Sequence, residues 1–321
     1  MIRARRAAVV ACAIAGLSSA AALSAPRPAS PSAPQQPLPA FGLSGTARQG
    51  AVMRGAAPPG TMRLMLDGAP IDLAPDGRFL IAFDRDAAPV ATLVATLADG
   101  RQVTQALAVA QGAWRIERLA TVAKTPLPDA EFARRRPAEL AQIAAARALR
   151  SDAQGWRQAF IWPVKGRISG VFGAQRIYRG EPGTYHGGVD IAPPAGTPVV
   201  APADGVVTLA AAAPFTLEGN LLLIDHGMGL NSAFLHLSRI DVHIGDHVRQ
   251  GQQIGAVGAT GRASGPHLHW ALMWRGARVD PVGVLGRSAC RAPHLSEPPP
   301  PMLARSTKRK GGCSEEQPPQ W

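Results

Sequence analysis

The sequence predicts a mainly β protein: an antiparallel, barrel-like sheet domain, preceded by a small β-sandwich-like domain and a helical connector. Three observations predict it. Between about Phe41 and Ala110, short runs of alternating apolar residues are punctuated by Asp67-Gly68, Asp76-Gly77 and Asp99-Gly100. Asp-Gly is a favoured hairpin turn. From Phe160 to about Leu285 short apolar runs again lie between glycines, without the strand–helix alternation of a doubly wound parallel sheet. Finally, 34 Gly and 30 Pro in 321 residues describe a chain of many turns.

Taken in order, residues 1–25 begin with Arg3, Arg5 and Arg6, continue as an apolar run from Ala7 to about Leu23, and end in small residues around Ser24 and Ala25. This is the pattern of a secretory signal peptide. The apolar run is short and alanine-rich for a permanent anchor, so no stable membrane span is expected after cleavage. An exported protein of the periplasm or cell envelope is the expectation. A competing reading is lipidation at Cys12, because Val9-Val10-Ala11-Cys12 loosely resembles a lipobox; it would leave a very short apolar segment before the cysteine. Residues 26–40, rich in Pro, Ala, Ser and Gln, read as a linker.

Residues 41–110 form the small β domain. Met62, Leu64 and Leu66 alternate with their neighbours, as do Phe79, Ile81 and Phe83, then Leu93, Ala95 and Leu97, then Val103, Leu107 and Val109. Five or six strands result. The segment holds neither histidine nor cysteine, which favours a packing, positioning or inhibitory role over a catalytic one.

Residues 111–158 are the connector, with a helix from about Asp129 to Arg150 in a run of Ala, Glu, Arg, Leu and Gln, all good helix formers. Pro137 is expected near the first turn of the main helix, and Arg134-Arg135-Arg136 on a solvated helix face rather than on an anionic polymer. Residues 159–287 are the second β domain. In it Val199, Val200, Val206 and Val207 surround a turn at Asp204-Gly205, and Leu221 to Ile224 form a strand ending at Asp225-His226-Gly227. Residues 288–321, with Pro298 to Pro301 and Lys308, Arg309 and Lys310, are expected to be a disordered tail. Cys290 and Cys313 lie in it and could pair in an oxidising compartment; neither has the neighbours of a zinc site or a nucleophile.

The net charge of +12 favours polyanionic surroundings, including nucleic acid, anionic lipid and anionic wall polymers. The charge is spread along the chain rather than gathered into a stripe, which argues against a nucleic-acid partner.

The candidate site lies in GTYHGGVDIA and GPHLHW. His186 and Asp190 are four apart, His267 and His269 two apart. Alternate residues of a strand share a face, so each pair can look into one cavity; Gly187 and Gly188 disfavour a helix. Hydrolytic zinc takes three protein ligands from His and Asp/Glu and leaves a fourth position open. His186, Asp190 and one of His267 or His269 would make such a set, with the remaining histidines moving protons or stabilising an oxyanion. The competing reading is a group of partly buried histidines satisfied by backbone carbonyls. His226, His243, His247 and His294 read as surface or turn histidines.

Three stretches, GTYHGGVDIAPPAGTPVVAPADGVV, GNLLLIDHGMGLNSAFLHLSRI and VRQGQQIGAVGATGRASGPHLHW, resemble the lysostaphin/LytM-type zinc endopeptidases of peptidoglycan. The resemblance covers about Ile161 to Leu285 with the motifs in family order. It implies an antiparallel β domain whose groove holds one zinc ion per chain, bound by His186, Asp190 and His269. It also implies catalytic roles for His236 and His267, peptidoglycan as the partner, and hydrolysis of amide bonds in stem peptides or cross-links by zinc-activated water. A non-catalytic wall-binding or amidase-activating relative is the alternative; such relatives typically lose metal ligands, which this chain keeps. Two departures stand out: Phe234 replaces the family's usual tyrosine, and the final motif continues as Trp270-Ala271-Leu272. Both put outer support of the site and substrate fit in question.

Overall fold

Glycine turns and apolar alternation together make strands, and the structure, a computed structural model that describes residues 41–120 and 130–286, holds twenty of them and one α-helix. The signal-peptide, linker and tail readings, with Cys12, Cys290, Cys313 and His294, lie outside the described residues.

The first six strands are β1 (Val52–Ala56), β2 (Thr61–Leu66), β3 (Ala69–Pro70), β4 (Arg78–Ala82), β5 (Val90–Leu97) and β6 (Gln102–Ala108). β1 pairs with β4, and β3-β2-β5-β6 form a four-stranded sheet, all antiparallel. Asp67 and Gly68 both have positive φ, 49° and 79°, the requirement of the two-residue hairpin turn between β2 and β3. Leu64, Leu93 and Ala95 point inward as the alternation predicts, but Met62 is 74% exposed. The β2–β5 register shifts between Thr61 and Arg63, so Met62 falls in a bulge that turns it outward.

Next come β7 (Ile116–Leu119), α1 (Ala130–Ala148), β8 (Arg167–Gly170), β9 (Gln175–Tyr178), β10 (Glu181–Pro182), β11 (Val189–Ala192) and β12 (Pro198–Val200). They are followed by β13 (Gly205–Ala210), β14 (Asn220–Asp225), β15 (Leu230–Leu237), β16 (Arg239–Ile240), β17 (His247–Val248), β18 (Gln253–Ala256), β19 (Leu268–Trp274) and β20 (Ala277–Val279). The large sheet runs β17-β13-β14-β15-β19-β11-β8, with β20 on β19, and its pairs are antiparallel. A smaller sheet, β12-β18-β16, flanks it in the chain. β7, which the sequence did not announce, pairs in parallel with β9 and so ties the connector to the second β region.

Val199-Val200 and Val206-Val207 flank Asp204-Gly205 without pairing with each other: β12 pairs with β18, while β13 pairs with β14 and β17. Two expectations need correction. Pro137 lies in the interior of α1 rather than in its first turn. Its cost, a lost backbone hydrogen bond, is offset where α1 packs: Ile143 and Ala146 join Leu209, Phe215, Leu221, Leu223 and Ala233 in a separate apolar cluster. Arg135 and Arg136 are not on a solvated face. Arg135 donates to the Pro214 carbonyl, and Arg136 forms a two-pronged pair with Glu218 at 2.6 and 2.8 Å.

The main core runs without interruption from the N-terminal sheets, through Phe79 and Leu93, to Trp156, Ile191, Phe234 and Trp270 of the large-sheet region. Arg54 bridges the two, donating to the carbonyls of Trp156 (2.6 Å) and Gln158 (2.9 Å). Among the described residues no helix is long and apolar enough to cross a membrane.

Candidate metal centre

Strand pairing brings the site together. Asp190 on β11 stands directly opposite His269 on β19, and His269 stands opposite Leu235 on β15. His186 lies in the loop before β11 rather than on a strand, and it folds back over Asp190. The three side chains converge: His269 Nδ1 is 2.8 Å from Asp190 Oδ1, and His186 Nε2 is 3.0 Å from His269 Nδ1 and 3.1 Å from Asp190 Oδ1. Donor atoms at zinc–ligand distances of 2.0–2.2 Å in a tetrahedron are about 3.3 Å apart. The triangle is therefore of a size and donor chemistry to hold such an ion, and its three residues are a group that could hold a metal among the described residues. The opposite side of the cradle is closed by Gly170, where any Cβ would collide with the Asp190 carboxylate.

Outer contacts fix the rings. His186 Nδ1–H donates to the Val171 carbonyl at 3.0 Å, which leaves Nε2 to the cluster. His236 Nδ1–H donates to Thr260 O and His267 Nδ1–H to Gly265 O, each at 2.8 Å, so both present Nε2. The rings of His236 and His267 lie 4.8 Å apart, and that of His236 is 6.4 Å from that of His269. His236 has a φ of 64°, a conformation sparsely used by non-glycine residues and common at functional positions. Its N–H is held by Glu218 O at 2.9 Å.

The groups of the site are shifted in different directions by burial and by one another. Burial would raise Asp190, but hydrogen bonds from His186 and His269 outweigh it and hold the carboxyl well below the usual range. Burial pulls His269 down, against the pull of Asp190. Burial likewise lowers His236. For His186 burial is outweighed by Asp190, and its affinity for a proton rises; a metal would displace that proton.

All five sequence-predicted residues thus meet in one groove of about 740 Å³. Its other wall is α1, which presents Arg136, Leu140, Ile143 and Arg147, a 4-3-4 spacing that puts them on one helix face. Sequence reasoning did not single out Arg147, Tyr185 or Arg278, which also line the groove. The 4-3-4 stripe was the available signal for Arg147. Asp84, from the N-terminal sheets, reaches the rim: it accepts from Tyr185 Oη at 3.4 Å and from the Arg278 backbone N–H at 2.8 Å.

Of the residues that depart from the family pattern, Phe234 and Trp270 lie away from the cluster, whereas Ala271 and Leu272 line the groove. Phe234 and Trp270 pair across β15 and β19 on the core face, both fully buried, and the Trp270 indole donates to Ser232 Oγ. His226, expected at a surface or turn, is instead a core residue with no exposure. It closes a turn by bonding Asp204 O and Ser232 Oγ. His243 is exposed as expected, its side chain 91% accessible.

The sheet carries a groove with a His/Asp group that could hold a metal ion, and comparison with known proteins says what the chain is similar to. Residues 184–281 match the description Peptidase family M23, so the chain carries a domain of that family. It is 43% identical over 125 residues to the peptidoglycan DD-endopeptidase ShyA of Vibrio cholerae, an alignment covering 37% of this chain and 28% of that protein. It is 30% identical to the catalytic domain of the prophage-encoded M23 protein EnpA from Enterococcus faecalis, covering 38% of this chain and 88% of that one, at a TM-score of 0.29. A crystal structure from Pseudomonas aeruginosa assigned to peptidase M23 is 29% identical and superposes with a TM-score of 0.57 over 75% of this chain and 96% of that one. The chain therefore spans under a third of the length of the Vibrio relative.

Proposed function

We propose that this protein is an exported zinc endopeptidase that hydrolyses amide bonds in peptidoglycan stem peptides or cross-links. The observation that carries the reading is the convergence of five side chains from distant parts of the chain on one groove: the His186–Asp190–His269 triangle with His236 and His267 beside it. His186, Asp190 and His269 would hold the ion. A zinc ion there supplies a Lewis acid for the scissile carbonyl and lowers the pKa of water to about 7.

The chain's own residues do the rest. His236 and His267, each with Nδ1–H committed to a carbonyl, offer Nε2 to take a proton from water, donate one to the leaving amine, or stabilise developing charge on the carbonyl oxygen. The walls of the groove carry more arginine than carboxylate, which suits an anionic wall polymer. The opening Arg3, Arg5 and Arg6 with the apolar run behind them support export. The complete ligand set favours catalysis over the non-catalytic wall-binding or amidase-activating alternative.

The test is metal content and digestion of purified peptidoglycan, with and without a chelator. About one zinc per chain and chelator-sensitive release of peptides are expected. Protein that carries zinc yet cuts no wall peptide would favour the non-catalytic reading, and protein that binds none would overturn the ligand set.

A further inference from the structure

Buried polar atoms are almost always paired, and those that are not point to something missing. Two side chains that line the groove keep an unpaired buried atom: Arg147 Nε and Asn231 Oδ1. The Arg147 guanidinium has neither hydrogen bond nor ion pair among the described residues. The carboxylate whose charge acts on it, Glu218, is already gripped in two-pronged fashion by Arg136. Arg278 lines the same groove, and its like charge adds to burial in lowering the Arg147 pKa while the charge of Glu218 opposes the shift.

Arg278 is held in place. Its guanidinium lies over the Tyr185 ring at 5.5 Å, while Arg85 covers the same ring at 4.9 Å. Its side chain also runs beside Gly187: a Cβ there would stand 3.7 Å from the Arg278 Nε and Nη1. Gly187 adjoins His186, so this charge sits next to the cluster. The sheet register places Asn231, Met273 and Arg278 in one row across β15, β19 and β20. That row is four residues along β19 from His269, about 13 Å of strand, and Arg278 reaches back from it. Two guanidiniums without a carboxylate partner among the described residues, at the edge of one groove, form an anion trap, and the planar fork of arginine suits a carboxylate.

We propose that Arg147 and Arg278 form a specificity subsite for a free carboxylate on the substrate peptide, close to the scissile amide. The proposal rests on the endopeptidase reading above and names what that site selects. The carboxylate can come from two sources, the terminal α-carboxyl of a stem peptide or a carboxyl borne by a residue within it.

The experiment uses the full-length, zinc-loaded protein and cross-linked stem-peptide dimers released from peptidoglycan, in three forms: all carboxyls free, the terminal carboxyl amidated, or the internal carboxyl amidated. One amidation is expected to lower kcat/KM about 10–100-fold, the range of charge-assisted hydrogen bonds, and which one identifies the source. Arg147→Met is expected to lose the preference, chiefly through KM, cutting acid and amide forms at the rate wild type cuts the amide. Arg147→Lys, which keeps the charge, retains part of it. Arg278→Met, at an exposed position, serves if Arg147→Met fails to fold. Equal cleavage of all three forms by wild type, or an unchanged acid-to-amide ratio in the folded Arg147 and Arg278 variants, overturns the subsite. Should wild type cut none of the peptides, the endopeptidase reading fails alone. The subsite is then read by calorimetric titration of the same peptides into the full chain with chelator present: tighter binding of the acid form upholds it, equal affinities overturn it.

Discussion

The two faces of the large sheet carry histidines that differ in one respect. On the core face His226 donates or accepts at both ring nitrogens, to Asp204 O at 2.8 Å and Ser232 Oγ at 2.7 Å, and Ser232 in turn meets the Trp270 indole. On the groove face His236 makes the same kind of Nδ1 bond, to Thr260 O, but its Nε2 looks toward His267 and the cluster. Both imidazoles are lowered by burial. A histidine whose two nitrogens are satisfied by the fold is part of the fold. One left half-satisfied among other donors is available for chemistry.

The largest effect should come from breaking the groove-face cluster. His269→Ala and Asp190→Ala are each expected to abolish stoichiometric zinc binding and cleavage together, measured by metal analysis and peptide release, while far-ultraviolet circular dichroism is unchanged. Zinc retained at one per chain in His269→Ala would place the ion elsewhere. The next effect separates ligands from their neighbours. His236→Ala and His267→Ala should keep the metal and lose about 10²–10⁴ in kcat; loss of the metal in either would move that residue into the ligand set.

The same comparison explains what the sequence could convey. Metal ligation demands particular side chains, so His186, Asp190, His267 and His269 stood out in GTYHGGVDIA and GPHLHW, and the antiparallel character followed from Asp-Gly turns such as Asp67-Gly68. Hidden were features set by long-range pairing. That Asp190 faces His269 depends on β11 adopting β19 as its neighbour, seventy-nine residues away. The four residues of β7 are too few to show a period, and their parallel partner β9 comes much later in the chain. Arg147 was lost among 34 lysines and arginines, because α1 is rich in alanine on every side and its groove stripe is weakly marked. His226 followed a legible strand, but only the fold shows that the turn after it is buried.

A smaller effect is expected on the core face, and on stability rather than chemistry. His226→Ala leaves Asp204 O and Ser232 Oγ without their partner in the interior, costing about 2–4 kcal/mol, read by urea denaturation, with zinc content and kcat per folded molecule unchanged. The wild-type residue also makes stability depend on pH. Burial lowers its pKa from 6.5 to about 4, while the Asp204 carbonyl and the charges of Asp225 and Asp204 oppose the shift. The unfolded chain therefore binds the proton more readily, and stability from this group is full above about pH 6.5 and drains away as pH falls to about 4. The shift corresponds to about 3 kcal/mol. His226→Gln should flatten the slope of unfolding free energy across that window; an unchanged slope would assign it to other groups.

The smallest effect is the control that the two faces require. His243 belongs to neither: its side chain is 91% accessible and its contact with Asp246 is long, at 3.7 Å. An exposed pair of this kind is screened by solvent and contributes little. His243→Ala should change stability by no more than about 0.5 kcal/mol and leave zinc content and cleavage at wild-type values, measured beside the His226 and His236 variants. A drop in cleavage there would mean that peptide binding extends over the β16–β17 loop, far beyond the groove that holds the five converging residues.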